Sequence, residues 1–165
     1  MTTPQIHTET LPNGLTLLAR EMHGAPVVNL QIWVRVGSAD ERPGEEGLAH
    51  FHEHMLFKGT ARRGVGDVAA EIEGAGGRVN AYTSFDVTVY HATLPAEARA
   101  VGLDVLGDAL RHSIFDADEV RRETEVVLEE IRRSEDSPLH VLSDAVFSEA
   151  YRAHPYRLPI LGPSA

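Results

Sequence analysis

Three histidines and a glutamate fall in the run His50-Phe51-His52-Glu53-His54, inside the stretch Gly47 to Thr60. Helical residues four apart sit one turn apart on the same face, so a helix here brings His50 and His54 side by side with Glu53 next to them. That geometry is a two-histidine metal clamp, and neutral imidazole is a common zinc ligand. A catalytic zinc takes three protein ligands and leaves a fourth position to water, whose pKa the metal brings near neutrality. Glu53 is then placed to take that water's proton as general base. The competing reading is a buried histidine pair satisfied by ordinary hydrogen bonds, with Glu53 on the helix surface. Two histidines four apart arise by chance, but His-x-x-Glu-His among Leu48, Ala49, Phe51, Met55, Leu56 and Phe57 is rarer and reads as a largely buried helix. His52 points about 160° around the helix from His54 and reads as structural or exposed.

A third ligand must come from elsewhere. The chain has no cysteine, which leaves His, Asp or Glu and excludes disulfides and thiolate ligands. The richest source is the acidic segment holding Glu119, Glu123, Glu125, Glu129 and Glu130. With Val120, Thr124, Val127, Leu128 and Ile131 as its inward stripe, Glu123 and Glu130 flank the stripe, while Glu125 and Glu129 lie toward solvent. About 10 Å of helix rise separates Glu123 from Glu130, so only one is a close ligand. A plain charged rim explains the pair equally well. The other histidines, His7, His23, His91, His112, His140 and His154, are scattered singly. Gly74-Ala75-Gly76-Gly77 lacks the Lys-Ser/Thr ending of a phosphate loop.

The elements that position these residues follow from periodicity and punctuation. Ile6 to Thr10 and Leu15 to Glu21 read as strands around Asn13-Gly14, a hairpin turn signal. Val28 to Val36 alternates, with Val28, Leu30, Ile32, Val34 and Val36 on one face and Asn29, Gln31, Trp33 and Arg35 on the other. A polar loop, Gly37 to Gly44, leads to the histidine helix, expected from near Glu45 to Gly59. Asp67 is expected to cap a helix from Val68 to about Ala75 carrying Val68, Ile72 and Ala75 inward. Arg78 to Thr83 and Val87 to Leu94 form a second hairpin. Pro95 begins a helix to about His112, carrying Val101, Leu103, Leu106 and Leu110. Asp116, with Glu119 three residues on, starts a helix to about Arg133. A last helix, about Leu139 to Tyr151, precedes an irregular His154 to Pro159. Paired strands followed by a run of helices predict an α+β domain, an antiparallel or mixed sheet with helices packed on one face.

Composition narrows the functions. In 165 residues, 42% hydrophobic and 24% charged, one globular domain over 1–165 is expected. A net charge of −10 with no basic cluster argues against a nucleic-acid partner. Lys58 is the single lysine among 15 basic residues, a bias with no functional reading of its own. No segment reads as a leader or a membrane span, so a cytoplasmic location without membrane contact is expected.

The stretch Gly47 to Thr60 resembles the signature of the pitrilysin-type inverted-motif zinc peptidases, which include insulin-degrading enzymes and mitochondrial processing peptidases. The resemblance extends to Leu11-Pro12-Asn13-Gly14-Leu15, Gly76-Gly77 with Asn80-Ala81-Tyr82-Thr83, Asp86 to Tyr90, Arg122-Glu123 with Val126 to Ile131, and His154-Pro155-Tyr156. It implies a zinc endopeptidase with one Zn2+ per chain on His50, His54 and Glu130, Glu53 as base and Glu123 as a supporting carboxylate. It also implies an edge strand at Asn80 and Ala81 to which a peptide substrate adds. Domains of that family continue with a further helix and strand, and a related second half supplies an Arg and a Tyr. The chain is therefore expected to be a partial amino-terminal domain, incomplete at its C-terminal end, that needs a second half, a partner subunit or a second copy. The alternative it leaves is a non-catalytic zinc-binding or assembly subunit.

Overall fold

The computed structural model describes residues 5–163; residues 1–4, read above for a leader, and residues 164–165 lie outside them. Strands β1 (Ile6–Thr10) and β2 (Thr16–Arg20) pair antiparallel as a two-stranded sheet of their own. Strands β3 (Val27–Val34), β4 (Arg78–Thr83) and β5 (Thr88–Pro95) form a second sheet, antiparallel throughout, in the order β3-β5-β4. Alternation decides its faces. Val28, Leu30, Ile32, Val34, Val79 and Ala81 join Tyr90, Ala92 and Leu94 of the central strand in the core. On the other face Trp33 donates to Gln31, Gln31 to Asn29, and Asn29 to Thr93, a polar ladder suited to water.

Three helices cover the apolar face: α1 (Leu48–Met55), α2 (Asp67–Gly74) and α3 (Arg99–His112). They contribute Leu56, just past the end of α1, with Val68, Ile72, Val105, Leu106 and Ala109 to the core. Full burial of one large side chain is worth about 1.5–3 kcal/mol. Helix α3 lies directly on the sheet because Gly102 has no side chain: a Cβ there would stand 2.7 Å from methyl carbons of Leu30 and Leu94. A second layer follows, with α4 (Ala117–Glu135) packed chiefly on α1 and α5 (Pro138–Ala150) on α4. Among the described residues no helix is long and apolar enough to cross a membrane.

The α+β architecture is as expected, and several boundaries and faces differ. Strand β3 stops at Val34, and Val36 is exposed in the bend toward Gly37. Helix α1 is shorter than Glu45 to Gly59, because Gly47 at its start is left-handed (φ 90°), and its first residue, Leu48, is exposed. Asp67 is the first residue of α2 rather than its cap, and its carboxylate accepts from the Gly64 amide instead. Val101 and Leu103 face solvent, since Gly102, Val105, Leu106 and Ala109 form the stripe that meets the sheet. On α4 Thr124 is exposed, and Glu123 is buried in the stripe with Val127 and Ile131 rather than flanking it.

Candidate metal centre

Helix α1 is held at its start by an acidic side chain from the preceding loop. Glu41 Oε2 accepts from the Gly47 amide at 2.9 Å and Oε1 from the Ala49 amide at 2.7 Å, a carboxylate on the free amides and positive end of a helix dipole. The backbone of Leu161 presses on the same corner, where a Cβ on Gly47 would lie 2.5 Å from the Leu161 carbonyl oxygen. The turn entering the helix therefore takes only glycine.

The helix aims two imidazoles at α4. His50 Nε2 and His54 Nε2 are 3.2 Å apart, and Glu130 Oε2 lies 3.8 Å from the first and 3.4 Å from the second. Among the described residues these three make the one His/Asp/Glu group with donor atoms mutually within 4.8 Å. Tetrahedral zinc with bonds of about 2.0–2.2 Å places its ligand atoms roughly 3.3–3.6 Å apart, so the spacing fits the ion.

The chemistry of the donors fits as well. His54 Nδ1 lies 2.8 Å from Glu123 Oε1, and the ionised carboxylate only accepts, so Nδ1 donates to it and the ring is held with Nε2 facing the cluster. Burial first, then the neighbouring His54, pushes the His50 pKa down, and its own Nδ1 is buried without a hydrogen-bond partner. Two imidazoles and a carboxylate thus converge on a space that a divalent cation would suit. Glu123 is itself buried. Burial works to raise its pKa, but the bonds from Lys58 and His54 outweigh it and hold the carboxyl below its usual value.

Glu53 lies between the two histidines in sequence and is tied to the sheet. Thr83 Oγ1, on β4, donates to Glu53 Oε2 at 2.6 Å. Burial still raises the Glu53 pKa above the ordinary carboxyl value. His52 is turned elsewhere: Nδ1 lies 3.3 Å from the Tyr90 hydroxyl and the ring sits against Phe115. Asn80 and Ala81 lie on β4, at an edge of the three-stranded sheet, two to three residues from Thr83. The Ala81 amide donates to Asn80 Oδ1 at 2.9 Å.

The structure therefore brings together His50, His54, Glu130 and Glu123, ties Glu53 to β4, and leaves Glu125 and Glu129 on the exposed side of α4. Sequence reasoning missed Glu41, Lys58 and Thr83. Of these, Thr83 alone carried a usable signal, because it shares the inward face of β4 with Val79 and Ala81.

Residues 16–164 match the insulinase family of peptidases, peptidase family M16. The chain belongs to this family. It is 39% identical over 154 residues to an uncharacterised zinc protease of Rickettsia felis, with 93% of this chain and 37% of that protein covered. It is 36% identical over 160 residues to the mitochondrial-processing peptidase subunit beta of Blastocladiella emersonii, covering 97% of this chain and 34% of that one. The crystal structure of a protease from Helicobacter pylori superposes with a TM-score of 0.92 at 30% identity, over 98% of this chain and 39% of that chain. The chain thus spans little more than a third of the length of the relatives it matches, and its α+β fold is that of M16 peptidases.

Proposed function

We propose that this M16 domain is a zinc-dependent endopeptidase that hydrolyses peptides or unfolded segments. The observation that carries the reading is the convergence of His50, His54 and Glu130 beside a base, Glu53, that is hydrogen-bonded to the edge strand. One Zn2+ per chain would be held by His50 Nε2, His54 Nε2 and Glu130 Oε2, with Glu123 fixing the His54 tautomer. Bound there, zinc supplies Lewis acidity, acidifying water and polarising a carbonyl.

The remaining work falls to side chains of this chain. Thr83 holds Glu53 Oε2, leaving Oε1 free to take a proton from water as the water oxygen bonds to the scissile carbonyl carbon. The same oxygen returns that proton to the amide nitrogen as the C–N bond breaks, so the carboxylate is regenerated. Burial, by raising the Glu53 pKa, makes it a better base for the first transfer and keeps the second accessible. The open edge of β4 at Asn80 and Ala81 would take the substrate main chain as an added strand, which favours extended peptides of varied sequence.

The chain's short span relative to its relatives supports a working assembly completed by a second homologous half, a partner subunit or a second copy. That one matched relative is named as a subunit of a peptidase favours a second reading, a zinc-binding assembly subunit without catalysis. Metal analysis and cleavage of an unstructured peptide by wild type and Glu53→Gln separate the two. About one zinc per chain, with cleavage lost in Glu53→Gln, is the expected result. Zinc without cleavage, alone or with a supplied second half, selects the assembly subunit, and a Glu53→Gln variant as active as wild type removes the proposed base.

A further inference from the structure

We infer that Lys58 is a positioning residue for the metal centre, acting through Glu123 to hold His54 in its ligating orientation. The inference rests on the reading of His50, His54 and Glu130 as the zinc ligands. Glu123 has two oxygens and two partners: Oε1 meets His54 Nδ1, and Oε2 forms an ion pair with Lys58 Nζ. The carboxylate is buried at 4% exposure, so few alternative partners are open to it. Lys58 and His54 are four residues apart. Lys58 follows the end of α1, its amide donating to the Met55 carbonyl, and the two side chains clasp one carboxylate of α4 between them.

Removing the ammonium would leave Oε2 buried and unpaired. A carboxylate turning to find water or another donor lets go of Nδ1, and an imidazole without that bond is free to rotate its Nε2 away from the cluster. The charge balance points the same way. Three carboxylates, Glu53, Glu123 and Glu130, gather at the two histidines, and Lys58 with one divalent cation neutralises them.

The residue type also fits the geometry. Position 58 carries lysine rather than arginine. Arginine prefers to engage both oxygens of a carboxylate with its planar fork, and here one oxygen is already committed to His54. A compact ammonium takes the single remaining oxygen without competing for Oε1.

The test measures zinc affinity of the 165-residue chain by chelator competition, with metal-free melting followed by circular dichroism. Carboxylate partners of metal-bound histidines typically shift affinity 10- to 100-fold. Lys58 acts one bond further out, so Lys58→Met is expected to raise the zinc Kd about tenfold. In a Glu123→Gln background the same change is expected to cost less than about twofold, because the carboxylate it acts through is gone. Lys58→Gln replaces Lys58→Met if the latter disturbs the metal-free fold. An unchanged Kd, or the same tenfold loss with and without Glu123, overturns the inference and leaves the peptidase reading intact. A wild-type chain that binds no zinc overturns both.

Discussion

Two clusters of charged and titratable side chains flank the end of α1, and they are built on opposite principles. In the loop after the helix, Arg63 is 5% exposed and each of its three guanidinium nitrogens has an acceptor: Nε and Nη2 the Glu71 carboxylate, Nη1 Asp108, and Nη2 also Asp104. Asp108 in turn receives Thr60 Oγ1 and His112 Nδ1. Every buried charge there has an opposite charge against it. The hydrogen bond from Thr60, with those from Arg63 and His112, holds the Asp108 carboxyl well below its ordinary value, and the Glu71 bond foremost raises the Arg63 guanidinium. The His50–His54–Glu130 cluster does the reverse, bringing two imidazole nitrogens and a carboxylate together with no lysine or arginine paired to them among the described residues. Burial lowers the His50 pKa and raises that of Glu53. The first cluster is complete as folded and does structural work. The second groups two imidazoles and a carboxylate at a spacing that would suit a divalent cation, the kind of grouping expected of a functional site rather than of a structural ion pair.

Substitutions should separate the two. The largest effect is expected at Glu53, where Glu53→Gln should lower peptide cleavage by about 10²- to 10⁴-fold while leaving zinc content and melting temperature near wild type, as peptide assay and metal analysis would show. A melting temperature that collapsed with activity would put Glu53 with the structural cluster instead. At the other cluster, Arg63→Met should destabilise the fold by about 3 kcal/mol, the low end for a broken buried pair, because Asp104 and Glu71 are about half exposed. Denaturant unfolding measures it, and a loss below about 1 kcal/mol would show that the network relaxes around water. Zinc gives a slightly smaller effect of the opposite sign. At 100 times its Kd it should stabilise wild type by about 2.7 kcal/mol and Arg63→Met by the same amount, but not His54→Ala.

The difference between the clusters also explains what the sequence could reveal. The histidine helix was legible because its ligands are local: four residues of one helix determine where two imidazoles point. The choice between Glu123 and Glu130 was open because it depends on how α4 crosses α1, and helical spacing says nothing about a crossing. Hydrophobicity alone places Glu123 at the rim of the stripe for the same reason, whereas its bonds to His54 and Lys58 let it be buried. The alternating strand β3 was read in its correct register because burial on one face enforces period two. The Arg63 network has no signal in the sequence: its members lie at 60, 63, 71, 104, 108 and 112, on three segments that only the tertiary fold brings together.

Acid should act on the two clusters at different pH, and this is the smallest of the expected effects. The folded His50 pKa lies below its ordinary 6.5, so the unfolded chain binds that proton more readily than the fold does. The stability associated with neutral, buried His50 is therefore fully present above about pH 6.5 and declines as pH falls from there toward the folded pKa. His52 runs in the same direction, and Glu41 and Glu53, with raised pKa values, run against it. Asp104 and Asp108 are depressed below 3.8, so the Arg63 cluster keeps its contribution across this window and loses it only at pH values below that. Melting of the metal-free chain should thus fall less between pH 7.5 and 5 in His50→Gln than in wild type, with the other groups cancelling in the comparison. Arg63→Met should track the wild-type slope over the same range at a lower midpoint. Equal slopes for wild type and His50→Gln would mean that His50 accepts a proton as easily in the fold as in the unfolded chain, and the contrast between the two clusters would fail.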